Sequence, residues 1–150
     1  MRAVIQRVER AGVTVGDIKK AEIGQGLLVF LGIEESDTEK DKDWLAGKIS
    51  RLRVFNDKSG IMNLSLGDVK GEIMVISQFT LFASTRKGNR PSWIKAARPE
   101  TAQLLYEKFV KRLQQETNTG IKTGEFRAMM KISLVNDGPV TIIIDSKNRE

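Results

Sequence analysis

The sequence contains neither cysteine nor histidine. The lack of cysteine excludes disulfides, thiolate nucleophiles and zinc–thiolate sites. The lack of histidine excludes a serine–histidine–aspartate triad and any imidazole general base. If the protein is an enzyme, its chemistry therefore depends on hydroxyl, amide, backbone or lysine groups, or on groups of the substrate.

Long apolar runs are also missing, since no stretch approaches the roughly 18 residues needed to span a bilayer. Residues 1–7 lack the apolar core and cleavage site of a signal peptide. We therefore expect a cytoplasmic protein with no membrane partner. A chain of 150 residues can bury a hydrophobic core, and we expect one domain over residues 1–150 with a frayed, charged tail at 146–150.

The acidic residues between positions 34 and 43 are the nearest approach to a metal-ligand cluster. They fall where a helix is expected to start, and acidic side chains stabilise that end of the helix dipole. We favour a solvated helix surface for them and predict no metal and no other cofactor.

Positive charge is concentrated in one part of the chain. Residues 86–131 contain 11 Lys and Arg against 4 Asp and Glu, whereas the remainder contains 14 against 15. Such a segment suits docking of a polyanion, but a solubilising surface explains the charge equally well.

The apolar patterns predict about eight strands and two helices. Ser36 to Glu39 fits a capping box that starts the first helix, and Pro99 suits the first turn of the second. Strands are predicted at about 2–9, 20–23, 27–31, 52–55, 73–79, 132–135 and 140–144. This order indicates an α/β fold in which helices cover sheets, and not a doubly wound βαβ array.

Three polar side chains, Ser77, Gln78 and Thr80, close a strongly apolar strand. Alternation along a strand puts Ser77 and Phe79 on one face and Gln78 and Thr80 on the other. Hydroxyl and amide groups at a strand end can bind a carbonyl or a ribose hydroxyl. A strand that simply runs into solvent is the alternative.

Asn136-Asp137-Gly138-Pro139 is strong turn chemistry. The ordinary interpretation is a connection between two strands. A Gly–Pro pair just before a strand, however, could expose two backbone carbonyls with no side chain over them, and a bond that precedes proline is the one most able to be cis.

Residues 85–93 combine cations, a glycine and a tryptophan. This composition suits contact with phosphates and bases, but a mobile surface loop has the same composition. It is not a Walker A loop, because the glycine spacing and the Lys-Ser/Thr pair are missing.

Taken together, these segments resemble the D-aminoacyl-tRNA deacylase family. The two signature-like motifs are Ser77-Gln78-Phe79-Thr80 and Asn136-Asp137-Gly138-Pro139-Val140-Thr141. Further similar segments are Ile5-Gln6-Arg7-Val8, Gly26-Leu27-Leu28-Val29, Met62-Asn63-Leu64, Arg90-Pro91-Ser92, Tyr106-Glu107-Lys108-Phe109-Val110 and Phe126-Arg127-Ala128-Met129-Met130. The resemblance runs from residue 1 to about 145. Arg127 and Met129 depart from it, standing where a small and a more polar residue are expected, and Trp93 stands where phenylalanine is usual.

The resemblance implies a homodimer with a three-layer α/β/β fold, mixed and largely antiparallel sheets and two main helices. It implies that Gly138 and Pro139 form a cis pair that enters the partner's active site and excludes L side chains, with Arg7 holding the pair. Met130 would also contact the substrate, and Ser77, Gln78, Phe79 and Thr80 would form the catalytic wall.

The implied activity is hydrolysis of the ester in D-aminoacyl-tRNA, and of glycine mischarged on tRNA. The basic segment would then bind acceptor-stem phosphates, chiefly through Arg86, Lys87, Arg90, Lys95 and Arg98. Attack by water with help from the tRNA 2′-hydroxyl is favoured over a threonine nucleophile, which needs a base. A non-catalytic RNA-binding module and a dimerisation domain with incidental charge are the alternatives.

Overall fold

The computed structural model describes residues 1–149. They form eight strands, two α-helices and one short 3-10 turn. In chain order these are β1 (Arg2–Val15), β2 (Ile18–Ile23), β3 (Gly26–Gly32), α1 (Glu39–Ser50), β4 (Phe55–Asn56), β5 (Met62–Leu64), β6 (Glu72–Ser77), the 3-10 turn (Phe79–Phe82), α2 (Pro99–Thr117), β7 (Ile121–Thr123) and β8 (Met130–Asp145).

Strand β1 lies at the centre of the main sheet. Along one edge, its first half pairs with β3 and its second half with β2, both antiparallel. Along the other edge, it pairs antiparallel with β8. Beyond β3 the sheet continues with β6 and β7 in parallel. Strands β4 and β5 form a separate antiparallel pair. The predicted α/β class with mixed, largely antiparallel sheets is confirmed.

The two helices pack side by side over one face of the sheet. Leu45 and Ile49 of α1 and Phe109 and Leu113 of α2 are fully buried against the strands. Burial of each such side chain contributes about 1.5–3 kcal/mol. In each helix the two residues are four positions apart, which puts them on one face.

A second apolar cluster fills the opposite face. Leu28 of β3 and Met74 and Ile76 of β6 pack there with Val8 and Val13 of β1. The first residues of β8, including Ile132, complete the cluster. The sheet therefore folds back on itself, and the order of layers is helices, strands, strands.

The start of α1 differs from the predicted capping box by two residues. Thr38, and not Ser36, is the N-cap, and the carboxylate of Asp41 accepts hydrogen bonds from the Thr38 amide (2.9 Å) and hydroxyl (2.8 Å). Ser36 instead accepts a hydrogen bond from Lys147. Both Ser36 and Thr38 fit the local capping pattern, and only the tertiary contacts distinguish them.

The end of the chain is tied to its beginning. Ser146 is buried. Its hydroxyl accepts a 2.7 Å hydrogen bond from the Met1 ammonium and donates a 2.9 Å hydrogen bond to Asp41. Arg149 stacks over the ring of Trp44 at 4.3 Å. These contacts anchor residues 146–149, where the sequence predicts a frayed tail, and Glu150 lies outside the described residues.

Candidate active site

The strand that carries the first polar motif ends earlier than predicted. Strand β6 stops at Ser77, because Gln78 turns away after its amide donates a 2.8 Å hydrogen bond to the carbonyl of Leu31. Phe79 begins a 3-10 turn that is closed by the Leu81 amide on the Gln78 carbonyl (3.2 Å). The prediction that Phe79 continues the strand is therefore wrong, and so is the two-face alternation built on it.

The 3-10 turn changes what this motif can do. The first amides of a helical turn have no partner within the turn, so the N–H groups of Phe79 and Thr80 have no acceptor within it. The side-chain amide of Gln78 hydrogen-bonds the hydroxyl of Thr80. Phe79 is 57% exposed. This end of β6 thus offers backbone donors, an amide, hydroxyls and an aromatic ring within four residues.

The basic loop lies next to this motif. Ser84 and Ser92 pair through two backbone hydrogen bonds of 2.9 Å, which close the loop between them. Trp93 then meets Phe79 edge-on, with ring centroids 5.3 Å apart. The predicted cations Arg86, Lys87, Arg90, Lys95 and Arg98 are all exposed.

Four of these cations have no ion-pair partner within residues 1–149. They are Arg86, Lys87, Arg90 and Lys95, whereas Arg98 lies 3.7 Å from Glu35. Arg98 also starts α2 as its N-cap residue. The four cations leave a positive surface beside Ser77 to Thr80, and Arg98 belongs partly to the framework of the fold.

The second polar motif is not an ordinary turn between two strands. Strand β8 runs through it. Gln6 of β1 pairs with Thr141 and Val8 pairs with Asn136, so β8 contains more residues than β1 between these two pairs. The extra residues bulge out of the ladder. Gly138, at φ 122°, and Pro139 lie exposed at the tip of this bulge, and the peptide bond between them is cis.

Arg7 is the main support of the bulge. Its side chain is 7% exposed, and its Nε lies 3.0 Å from the Asp137 carboxylate. Its Nη1 donates to the Val54 carbonyl at 2.7 Å and to the Asn56 side chain at 3.2 Å. A buried guanidinium with several acceptors is rigid, so it fixes the backbone before Gly138.

Asn136 closes the base of the bulge. Its side-chain amide donates to the carbonyl of Arg7 (2.9 Å) and to that of Val140 (3.1 Å). A Cβ on Gly138 would lie 2.8 Å from the Val140 side chain and 3.0 Å from Nη2 of Arg7. The tip of the bulge therefore has room for backbone only.

The two polar motifs lie far apart within one chain. Ser77 pairs at the level of Leu31 and Ala3, whereas Gly138 bulges opposite Arg7. Four residues of strand rise give about 13 Å, and three strand spacings give about 14 Å. Counted along the sheet, the separation is thus about 20 Å by the same strand geometry, so the two motifs are not neighbours in its ladder.

The resemblance places Met130 among the substrate contacts without assigning it to either polar motif. It opens β8 opposite Val15, and its side chain lies beside Gly124, which follows β7. Because a Cβ on Gly124 would also lie 3.2 Å from the side chain of Ile76, Met130 lies on the side of Ser77 and away from Gly138. The structure therefore groups it with the first motif.

Sequence reasoning missed Asn56 and the Val54 carbonyl as partners of Arg7. One signal was available, because Arg7 occupies the same face of β1 as the buried Ala3 and Ile5, and a charged residue on a buried face needs partners. Nothing in the local pattern identifies which partners. In the described part of the chain, no three acidic side chains converge on a point where they could hold a metal ion, and no helix is long and apolar enough to cross a membrane.

Comparison with known proteins gives consistent results along the whole chain. A family model described as D-Tyr-tRNA(Tyr) deacylase matches residues 4–145. Proteins named D-aminoacyl-tRNA deacylase from Flavobacterium johnsoniae and Bacteroides thetaiotaomicron are 59% and 57% identical to the chain over 150 residues, and each match covers 100% of this chain and 100% of the relative.

Two solved structures share the fold. One, named c-Myc DNA unwinding element binding protein, superposes with a TM-score of 0.91 at 42% identity, and the match covers 97% of this chain and 98% of the other. Another, described as a probable eukaryotic D-amino acid tRNA deacylase, gives a TM-score of 0.82 at 14% identity and covers 95% and 97%. At that identity the second likeness concerns the fold alone.

Proposed function

The chain belongs to the D-Tyr-tRNA(Tyr) deacylase family, and on that premise we propose that it is a hydrolase that removes D-amino acids from tRNA. The bond cleaved is the ester between the amino acid and the terminal ribose, and the products are the free amino acid and tRNA. Full-length identity above 50% to proteins named for this reaction carries the proposal. A tRNA substrate also implies that the protein works in the cytoplasm.

The active site forms between two copies of the chain. Ser77 to Thr80 of one protomer make the catalytic wall, and the Gly138-Pro139 pair of a second copy faces it. The support is geometric, since the motifs are about 20 Å apart when counted along the sheet of one protomer while each is accessible at the surface. A homodimer with the tip of each bulge inserted into its neighbour brings them together.

Handedness is read by backbone. The tip of the bulge has no side chain beyond the proline ring, and its carbonyls face the α-amino group of the substrate. An L side chain collides with this rigid peptide, whereas a D side chain points away from it, so discrimination depends on exclusion. Glycine has no side chain to exclude, and the enzyme therefore also accepts glycine mischarged on tRNA.

The amides of Phe79 and Thr80 stabilise the negative charge that develops on the ester carbonyl. Water is the nucleophile, oriented with help from the free 2′-hydroxyl of the terminal ribose. Thr80 is unsuited to attack, because its hydroxyl is hydrogen-bonded to the neutral amide of Gln78, which is no base. The protein thus contributes positioning and electrostatics.

The basic loop binds the acceptor stem. Arg86, Lys87, Arg90 and Lys95 are exposed and lie on the segment that follows the catalytic wall, with Arg98 at its end. Contacts of this kind are made to phosphates and carry little sequence information. They weaken as salt rises, because phosphate binding releases counterions.

The decisive experiment compares D-tyrosyl-tRNA with L-tyrosyl-tRNA as substrates of the purified protein. We expect rapid ester loss from the D form and none above background from the L form. Saturable binding of both RNAs without turnover would instead support a nucleic-acid-binding module. This second candidate is favoured by the basic loop and by the 42% identity to a protein named for binding a DNA unwinding element.

A further inference from the structure

The turn between β7 and β8 lies at the same sheet edge as the catalytic wall. Strands β6 and β7 are parallel, with Val75 opposite Thr123, so their carboxyl ends meet at one edge. Strand β7 ends at Thr123, but a Cβ on Gly124 would lie 3.2 Å from the Ile76 side chain, so the chain still follows β6 there. If it follows β6 for one residue more, Glu125 lies level with Ser77, about 5 Å away across the strands. Two more residues span at most about 7 Å, which places the Cα of Arg127 within about 12 Å of that of Ser77.

The backbone before Arg127 is held firmly to β6. Phe126 packs on Tyr106 with ring centroids 5.8 Å apart, and the Tyr106 hydroxyl donates a 2.7 Å hydrogen bond to the carbonyl of Val75. Glu125 forms a 2.9 Å ion pair with Lys20 of β2. Arg127 therefore projects from a fixed point beside the catalytic wall.

Arg127 itself carries an uncompensated charge. Its φ is 66°, a left-handed conformation that favours glycine over a residue with a side chain. Its only acidic neighbour in the turn, Glu125, is already paired with Lys20. Within residues 1–149, no ion pair involves the Arg127 guanidinium, so no such contact offsets the unfavourable backbone.

We infer that Arg127 binds a backbone phosphate of the nucleotides that precede the terminal ribose, when the aminoacyl ester lies against Ser77 to Thr80. This inference rests on the proposed function, and it assigns a contact separate from the loop of residues 85–98. Arginine suits the task, because its planar guanidinium matches two phosphate oxygens. Arg127 is thus a positioning residue, since it does not touch the reacting atoms.

The chain offers a matched control. Lys70 is also an exposed cation at positive φ, 52°, but it precedes β6 and lies at the opposite end of that strand from Ser77. Arg127→Gly and Lys70→Gly remove the same charge and relieve the same backbone conformation. Any difference in KM or in the salt slope between the two variants is therefore caused by the position of the charge.

The experiment measures hydrolysis of D-tyrosyl-tRNA and of D-tyrosyl adenosine, which has no phosphate, together with binding of uncharged tRNA as a function of salt. For Arg127→Gly we expect KM for the tRNA substrate to rise about 3- to 10-fold with kcat unchanged, and the slope of log affinity against log salt to fall by about 0.7, the value for one phosphate of a single strand. Rates with D-tyrosyl adenosine should not change, and Lys70→Gly should match the unmodified protein throughout.

Any of three results would overturn the inference. One is an unchanged KM and salt slope in Arg127→Gly. The others are an equal loss with D-tyrosyl adenosine and a change of oligomeric state on gel filtration, either of which assigns Arg127 to the pocket or the protein interface. Failure of the proposed function is separate, since the unmodified protein would then hydrolyse neither substrate while the binding slopes remained measurable.

Discussion

Arg7 and Asp137 form an ion pair in which the guanidinium is buried and the carboxylate is half in solvent, 3.0 Å between Nε and Oδ2. The pair joins the central strand to the bulge that carries Gly138 and Pro139. The ion pair therefore fixes the bulge to the sheet, although Gly138 and Pro139 at its tip are exposed.

We expect Arg7→Met to abolish most D-tyrosyl-tRNA hydrolysis. The substitution keeps much of the buried volume but leaves the Val54 carbonyl and the Asn56 side chain without their donor. An unsatisfied buried acceptor costs about 1–3 kcal/mol, which urea unfolding will detect. Arg10→Met, at an exposed pair with Glu9, should change neither quantity. Full activity in Arg7→Met would show that the bulge needs no such support.

Gly138→Ala should lower activity strongly. Its Cβ would meet the Val140 and Arg7 side chains at 2.8 and 3.0 Å, on a backbone at φ 122°. Gly60→Ala is the matched control, because Gly60 also has positive φ (77°) but open space around it. Steady-state rates with D- and L-tyrosyl-tRNA should fall or lose their chiral preference only in Gly138→Ala, and equal effects of the two variants would remove the assigned role of the bulge.

Thr80→Ala should retain activity within about tenfold of the unmodified protein, since removal of a true nucleophile costs several orders of magnitude. The Thr80 hydroxyl is engaged by Gln78 and has no base to activate it. Single-turnover rates with D-tyrosyl-tRNA decide the matter. Complete loss of turnover with RNA binding preserved would make Thr80 the nucleophile.

The hydrogen bonds of Asp41 lead us to expect that the folded protein loses stability in acid. Burial alone would raise the pKa of Asp41, but hydrogen bonds from Thr38 and Ser146 and the nearby Met1 ammonium outweigh it and lower the pKa below its usual value. The folded state therefore binds the proton less readily than the unfolded state, and the stabilisation is present above about pH 4 and is lost as pH falls further.

Urea unfolding of Asp41→Asn between about pH 3 and pH 7 tests this, because the difference from the unmodified protein should be present at neutral pH and shrink below about pH 4. The variant should be the less stable of the two. Asp17→Asn, in the exposed β1–β2 turn, serves as the control and should follow the unmodified protein. A difference that stays constant with pH would show that Asp41 does not contribute through its charge.

Local patterns predicted both helices and the long apolar strands, because an apolar stripe at helical or alternating spacing requires one face to be buried. The short strands β5 and β7 were not predicted, and the strand predicted at 52–55 is β4, which covers only Phe55–Asn56. They failed where the structure depends on distant partners. The strand at Ser77 ends where it does because Gln78 bonds Leu31, and the second motif becomes a bulge because Arg7 and Asn136 hold it against β1. An isolated turn pattern contains no information about either partner.

The candidate site was likewise predicted only in part from the sequence. The residues of both motifs were identified from their types and order, but the unpaired amides of Phe79 and Thr80 depend on the 3-10 turn that the strand pattern did not predict. The closeness of the turn at Arg127 to Ser77 follows from the parallel register of β6 and β7. Register between strands that are separated by a helix is a property of the assembled sheet and not of any segment.

The pairing of β1 with β8 also has a consequence for biosynthesis. Residues 2–15 pair along one whole edge with residues 130–145, and the first of these segments leaves the ribosome long before the second. Until the last strand emerges, the nascent chain presents an open β edge, which is prone to pairing with other chains. The β1 edge is therefore covered only once β8 has been made, and a chain that stops short of β8 would leave that edge open to other chains.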